Sequence, residues 1–126
     1  MSDPLVLLID ADADSREICT LLLSHRGFRP VCAGCEVEAL DLARRERPAV
    51  IVTELYTRTR EGWRIPELLR GDPATAGVPL IVLSAHVLPD DRERAFRSGA
   101  DAFLAKPVDG ARLLAEVGRF RGGDRG

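Results

Sequence analysis

Four polar side chains in this 126-residue chain lie at the ends of short aliphatic runs, and together they could bind a phosphoryl group or a metal ion. They are Asp10, Glu54, Ser84 and Lys106. Carboxylates hold divalent cations, whereas an amine and a hydroxyl contact phosphoryl oxygens. Taken singly, each residue also has an ordinary structural role, because an aspartate can cap a strand end and a lysine between two acids forms an ion-paired cluster.

The aliphatic runs themselves predict five strands, at Leu5–Ile9, Val31–Ala33, Ala49–Val52, Leu80–Leu83 and Ala102–Ala105. Because the runs are continuous rather than alternating, we expect strands that are buried on both faces. Amphipathic segments separate the runs, and this alternation predicts a parallel sheet covered by helices on both sides. In such folds ligands bind beyond the carboxyl ends of the strands, where the strand order reverses.

Apolar residues at helical spacing predict the inward faces of three helices. These are Ile18, Leu21 and Leu22; Val37, Leu40 and Ala43; and Leu113, Leu114, Val117 and Phe120. A shorter helix is predicted over Trp63–Arg70, with Pro66 in its first turn. Pro89 predicts the start of another helix, which we expect to end at Ser98 and Gly99.

The composition indicates an ordinary globular domain and excludes several functions. The 18 basic and 20 acidic residues give a net charge of −2, which excludes a strongly basic nucleic-acid-binding surface as the main activity. The longest aliphatic run, Leu5–Ile9, is too short for a membrane span or a signal peptide. Three cysteines argue against a disulfide framework, so we expect a cytoplasmic protein. We predict one domain over residues 1–120 and a flexible tail over residues 121–126.

Four segments resemble the receiver domain of two-component response regulators: Val6–Ile18, Pro48–Trp63, Pro79–His86 and Gly99–Val108. A serine-alanine pair after the fourth strand and a lysine-proline pair after the fifth carry much of the likeness. The resemblance implies a flavodoxin-like, doubly wound (βα)5 three-layer sandwich with a five-stranded parallel sheet. It also implies a signalling module that takes a phosphoryl group from a histidine kinase onto a strand-end aspartate, assisted by magnesium on an acidic pair.

The acidic site departs from the family pattern. Counting eight residues back from Gly62 places Glu54 where the family has its phosphoacceptor aspartate. Ala11 stands at the second position of the acidic pair, which resembles the direct metal ligand of the family. A methionine-proline pair that usually follows the acceptor is replaced by Thr57 and Arg58.

Other positions fit the family pattern. Ser84 matches the hydroxyl residue, Phe103 the aromatic switch position, and Lys106 with Pro107 the lysine-proline pair that follows the last strand. The resemblance implies that a change at the site couples Ser84 to Phe103, although a half-buried strand aromatic explains Phe103 equally well. Asp10 and Asp12 are what is left of the acidic pocket.

We therefore expect an atypical receiver that acts as a phosphorylation-independent protein–protein interaction module and not as an enzyme. Glu54 is one methylene longer than aspartate, so its carboxylate can accept hydrogen bonds from Lys106 and Ser84 and imitate a phosphoryl group. Two alternatives stay open. Glu54 is either part of an inactive scaffold in which it merely pairs with Lys106, or part of a receiver that a histidine kinase still phosphorylates with magnesium.

The resemblance places the partner surface on the fourth helix, fifth strand and fifth helix, at about Pro89–Ser98, Ala102–Ala105 and Asp109–Phe120. We expect a protein partner there, a monomer or weak homodimer, and no binding of nucleic acid or membrane. No cofactor is expected, because Ala11 removes a carboxylate from the cation site. The residual candidates for a weak magnesium site are Asp10, Asp12 and Glu54.

A C-x-x-C motif, formed by Cys32 and Cys35, offers a third function. The motif lies at a predicted strand-to-helix junction, which is where redox-active motifs occur. A thiol redox sensor is therefore an alternative function. Cys19 lies near the apolar face of the first helix, and we expect it in the core.

The aspartates at positions 10, 12 and 14 open like a calcium-binding loop, but the pattern then fails. Ser15 and Leu21 occupy the positions that require glycine and glutamate. We therefore expect Asp12 to be solvated and Asp14 to cap the helix that follows.

Overall fold

The computed structural model describes residues 3–57 and 64–120, in which five strands alternate with five helices. The strands are β1 (Leu5–Ile9), β2 (Arg29–Ala33), β3 (Val50–Thr53), β4 (Leu80–Ser84) and β5 (Ala102–Ala105). The helices are α1 (Ala13–Ser24), α2 (Glu36–Glu46), α3 (Ile65–Arg70), α4 (Pro89–Arg97) and α5 (Gly110–Phe120). The predicted alternation is confirmed. Predictions that involve Arg58, Gly62, Trp63 and residues 121–126 lie outside the described residues.

The five strands form one parallel sheet in the order β2-β1-β3-β4-β5. The chain passes from β1 outward to β2 and then returns to β3 on the other side of β1. The strand order therefore reverses between β1 and β3, whose carboxyl ends carry Asp10 and Glu54. This is the edge at which ligands bind in such folds.

Alternate residues of β1 enter two separate cores. Val6 and Leu8 pack with buried residues of α1 and α5, whereas Leu7 and Ile9 pack with residues of α2, α3 and α4. The sheet is thus the middle of three layers, as the predicted doubly wound sandwich requires. Among the described residues, no helix is long and apolar enough to cross a membrane.

Strand β2 corrects the expectation that every strand is buried on both faces. Arg29 and Cys32 are exposed, and Ala33 is its buried residue. The physical reason is its position at the edge of the sheet, where β1 covers one side and nothing in the sheet covers the other. Strands β1, β3 and β4 are buried along their whole length, as predicted.

The inward face of α1 also differs from the prediction. Ile18 and Leu21 are 48% and 56% exposed, and the buried residues are Ser15, Cys19 and Leu23. These three lie four residues apart and form one stripe, and the helical period puts Leu21 nearly opposite that stripe. The prediction that Cys19 lies in the core is confirmed.

The predicted inward faces of α2 and α5 agree with the structure to different degrees. In α2, Ala43 is buried and Leu40 partly so, but Val37 is 61% exposed. In α5, Leu113, Val117 and Phe120 are buried and Leu114 packs against the same core, as predicted. Helix α3 carries Pro66 in its first turn, and α4 begins at Pro89 with Ser98 as its C-cap.

A largely buried arginine connects the loops at the amino ends of β4 and β5. The guanidinium of Arg70, at the end of α3, donates to the carbonyl oxygens of Gly99 and Val78 at 2.8 and 2.6 Å. It also donates to the carbonyls of Thr75 and Ala76 and to the carboxylate of Asp101. We call these residues the Arg70 cluster.

Candidate functional site

Three of the four predicted site residues converge at the carboxyl edge of the sheet. The Lys106 ammonium donates to Asp10 Oδ2 at 2.8 Å and to Glu54 Oε1 at 2.6 Å. Asp10 follows β1, Glu54 follows β3 and Lys106 follows β5, so the strand order brings side chains 96 and 52 residues apart into contact. We call these three residues the rim cluster.

The rim cluster is largely removed from water. The side chains of Asp10, Glu54 and Lys106 are 11%, 19% and 17% exposed. Burial by itself lowers the pKa of Lys106, but its hydrogen bonds to Asp10 and Glu54 outweigh burial and raise that pKa above its usual value. The ammonium is therefore firmly protonated between the two carboxylates.

Each carboxylate of the rim cluster has a further backbone donor. Asp10 Oδ1 accepts from the amide of Asp12 at 2.9 Å, and Glu54 Oε2 accepts from the amide of Leu55 at 3.2 Å. Both oxygens of each acid thus accept a hydrogen bond, which fixes the orientation of the two carboxyl groups. Two acids and one ammonium leave the cluster with one formal negative charge.

Ser84 is part of the same edge but does not join the cluster. Its side chain is fully buried, and its hydroxyl accepts from the amide of His86 at 3.0 Å. The expected hydrogen bond from Ser84 to Glu54 is absent among the described residues, so that prediction is wrong for this conformation. The physical reason is that Ala85 and His86, not Ser84, line the cleft beside Glu54.

Phe103 is buried rather than half-buried, with 5% of its surface exposed. It pairs with Val82 across the sheet and packs in the core that includes Ala95 of α4. The guanidinium of Arg92 lies over its ring, 5.0 Å from the centroid. The coupling of Ser84 to Phe103 stays a prediction, as does the role of Pro107, which follows Lys106 through a cis peptide bond.

The loop after β1 corrects the prediction about the helix cap. Asp12 is exposed, but its carboxylate accepts from the amide of Asp14 at 3.1 Å and caps α1. Asp14 lies within the first turn instead. The cap falls on Asp12 because its backbone is still extended, as an N-cap requires.

The carboxylate oxygens at this edge are already engaged in contacts within the protein. Lys106 takes one oxygen of both Asp10 and Glu54, Asp12 points its carboxylate at the start of α1, and Ala11 has no donor. Across residues 3–57 and 64–120, no three side chains of histidine, cysteine, aspartate or glutamate are grouped to hold a metal. Weak magnesium binding by Asp10, Asp12 and Glu54 stays a prediction.

A cleft of about 530 Å³ opens beside the rim cluster. Its walls include Ala11, Gly34, Cys35, Tyr56 and His86. The two thiols of the C-x-x-C motif face different surroundings. Cys35 lines this cleft, whereas the sulfur of Cys32 lies 3.4 Å from the hydroxyl of Thr20 on α1. Both are exposed free thiols, and the redox role of the motif stays a prediction.

Tyr56, which no sequence motif indicates, connects this cleft to α4. Its hydroxyl donates to Asp91 Oδ1 at 2.9 Å and accepts from Arg94 Nη1 at 3.4 Å. Its ring meets the ring of His86 edge-on, with 5.0 Å between centroids. We call these four residues the Tyr56 link. Its members are up to 38 residues apart, and no local pattern in the sequence indicates the contact.

The region predicted as the partner surface carries exposed apolar side chains. Leu88 is 69% exposed, Phe96 45% and Val87 46%, all in α4 or just before it. Exposed apolar residues also occur on α1 and α2, at Ile18, Leu21 and Val37, so the partner surface on α4 stays a prediction.

Comparison with known proteins agrees with this geometry. Residues 6–118 match the family described as Response regulator receiver domain. The Leptolyngbya boryana protein named "Uncharacterized 14.6 kDa protein in sodA1 3'region" is 31% identical over 115 residues, which are 91% of this chain and 88% of that protein. Response regulator Rre1 of Synechocystis sp. is 30% identical over 119 residues, 93% of this chain and 52% of its own length. The chain thus spans about half of that relative.

A solved structure of a response regulator has the same fold. The response regulator from Desulfuromonas acetoxidans superposes with a TM-score of 0.83 at 28% identity, covering 92% of this chain and 94% of that one. The family match covers residues 6–118, and the superposition covers 92% of this chain. The chain therefore belongs to the response regulator receiver domain family of two-component signalling.

Proposed function

We propose that this receiver domain works without phosphorylation, as a protein–protein interaction module in which Glu54 permanently supplies the negative charge at the acceptor position. The observation that carries the proposal is the pairing of Lys106 with both Glu54 and Asp10, at 2.6 and 2.8 Å. The lysine that would contact a phosphoryl group in the family is already engaged by a carboxylate.

The charge balance supports this role for Glu54. A phosphoryl group carries about 1.5 to 2 negative charges, against one for a carboxylate, so Glu54 is a partial substitute. Two neighbouring carboxylates repel each other unless a cation lies between them. Here the cation is the Lys106 ammonium, which reduces the need for magnesium.

Receiver domains are signalling modules that act through other proteins, and we place the partner of this one on α4, β5 and α5. The exposed side chains of Leu88 and Phe96 support a partly apolar contact. We further propose that the domain acts in the cytoplasm, as a monomer or weak homodimer.

The test is the intact mass of the protein after incubation with magnesium and a small acyl-phosphate donor. We expect no mass gain for the wild type. The variant Ala11→Asp/Glu54→Asp restores both acids, and we expect it to gain one phosphoryl group that hydroxylamine removes. Ala11→Asp alone is the matched control, because it restores the metal ligand without the acceptor and should stay unlabelled.

A stoichiometric, hydroxylamine-sensitive gain on the wild type would overturn the proposal in favour of a receiver that is still phosphorylated with magnesium. If the double variant stays unlabelled while an ordinary receiver is labelled under the same conditions, the assignment of positions 11 and 54 to the family pattern is wrong.

A further inference from the structure

We propose that Tyr56 is a positioning residue that couples the charge at position 54 to helix α4. This inference rests on the proposed function in one respect: under that function, α4 forms part of the partner surface. The contacts that carry it belong to the free chain and involve no partner.

The path of contacts begins at the Glu54 carboxylate. One of its oxygens accepts from Lys106 and the other from the amide of Leu55, the residue that follows it. Leu55 is fully buried, and its carbonyl accepts from the amide of Ile65 at 2.8 Å. Because the carboxylate holds the Leu55 N–H directly, any change in how Lys106 holds Glu54 acts on the backbone that leads to Tyr56.

The path ends on the first turns of α4. The Tyr56 hydroxyl donates to one oxygen of Asp91, and the other oxygen of Asp91 accepts from the amide of Leu88 at 3.2 Å, which caps the helix. Arg94, one turn further, donates to the same hydroxyl. The one hydroxyl of Tyr56 thus holds both the cap and the second turn of α4 against the loop that leaves the rim cluster.

This route is separate from the family's Ser84 to Phe103 coupling. Phe103 packs inside the core, whereas Tyr56 lines the open cleft. The coupling requires a second arrangement of the hydroxyl, turned into the cleft, besides the observed one in which it is bonded to Asp91 and Arg94. We infer that the charge at position 54 biases the balance between them, and so decides how firmly α4 is held.

The sequence contains one tyrosine, so protein labelled with ¹³C at the tyrosine Cζ gives a single ring signal. Glu54→Gln removes the charge and keeps the shape. We expect E54Q to shift that signal. We also expect it to raise hydrogen exchange about fivefold at the amides of Asp91 and Arg92, the loss of one hydrogen bond's protection. Both amides donate to the carbonyl of Leu88 at the start of α4.

Tyr56→Phe keeps the ring against His86 and removes the hydroxyl. By itself it should raise exchange at Asp91 and Arg92 as E54Q does. Coupling further predicts that adding E54Q to Y56F changes this exchange by less than about twofold, because the link is already open. Thr20→Val, which removes a hydroxyl from α1 near Cys32, is the matched control, and the full E54Q effect should persist in it.

An E54Q effect of equal size in the presence and absence of the Tyr56 hydroxyl would assign the coupling to another route and overturn the inference. An unchanged tyrosine signal in E54Q would overturn it as well, because Tyr56 would then be insensitive to position 54. Neither measurement uses a partner or a phosphoryl donor. Failure here therefore leaves the proposed function standing, and acyl phosphate on the wild type would refute that function without touching this coupling.

Discussion

The two ends of the sheet each hold a largely buried cation, but the cations are held in different ways. At the amino ends of β4 and β5, Arg70 donates mainly to backbone carbonyls and to one carboxylate, Asp101. At the carboxyl ends, Lys106 donates to two side chains, Asp10 and Glu54. The exposed fractions of the two basic side chains are nearly equal, 15% and 17%.

This difference separates a structural cluster from an adjustable one. Backbone carbonyls cannot move away without unfolding the loops, so the Arg70 cluster has one arrangement. The acceptors of Lys106 are instead carboxylates on side chains beside an open cleft, so they can be rearranged without unfolding a loop once Lys106 or Glu54 is altered. The rim cluster is therefore the more adjustable of the two, although the ion pairs of both are largely buried.

Arg70→Met should be the most destabilising change. It removes the guanidinium from the Asp101 carboxylate, which keeps the Leu80 amide as a donor, and from several part-buried carbonyls, and we expect the free energy of unfolding in urea to fall by about 3–5 kcal/mol. Arg70→Lys keeps the charge but not the planar fork of donors, so it should recover part of this loss. A loss below about 1 kcal/mol for R70M would mean that the cluster is not structural.

Lys106→Met should cost less, about 1–3 kcal/mol of unfolding free energy. Asp10 and Glu54 lose their shared cation and repel each other, but both can turn toward the cleft and be hydrated. Adding Glu54→Gln removes the repulsion and should restore part of the stability in the same urea measurement. Equal destabilisation by K106M and R70M would show that the rim cluster is as rigid as the Arg70 cluster.

The titration of Lys106 should show a smaller effect of the same pairing. It is the one lysine of the sequence, so ¹⁵N-lysine labelling gives a single side-chain amine signal. We expect its pKa to lie above the ordinary value of 10.5 in the wild type and to fall in E54Q. An equal pKa in the two proteins would show that Glu54 is not a significant partner of Lys106.

The sign of the stability effect follows from the direction of that shift. A raised pKa means that the folded chain binds the proton more tightly than the unfolded chain. The contribution of Lys106 to stability is therefore complete below pH 10.5 and is lost as the pH rises through the folded-state pKa. Alkaline unfolding of E54Q should show less of this loss.

The smallest effect is expected for an ion pair on the surface. Arg97 and Glu93 pair one turn apart on α4, with side chains 70% and 62% exposed. Arg97→Ala should change the free energy of unfolding by about 0.5 kcal/mol or less, because water and salt screen such pairs. A larger loss would mean that the contribution of an ion pair to the stability of this domain does not depend on how deeply the pair is buried.

Much of the fold was predictable because its strands are continuous aliphatic runs between helical segments. The error at α1 has a simple cause. Ser15 and Cys19 face the sheet, whereas Ile18 and Leu21 face outward, and hydrophobicity alone favours the wrong stripe. The exposure of β2 follows from its position at the edge of the sheet, and the local sequence does not indicate that position.

The rim cluster was predictable and the Tyr56 link was not, for a physical reason. Strand ends of a parallel sheet meet at one edge, so Asp10, Glu54 and Lys106 are brought together by topology alone. Tyr56 reaches α4 through the shape of a loop and a rotamer, and neither leaves a periodic signal. Arg70 was missed for a similar reason, since its acceptors are backbone carbonyls that any residue provides.

Strand β2 bears on how the domain avoids unwanted assembly. The amide of Arg29 donates toward β1, to the carbonyl of Pro4 at 2.8 Å, and successive amides of a strand point in opposite directions. The nitrogen of Pro30 therefore faces the open edge, where it has no hydrogen to donate. A neighbouring chain that tried to extend the sheet would meet a missing donor beside an arginine charge, which discourages edge-to-edge aggregation.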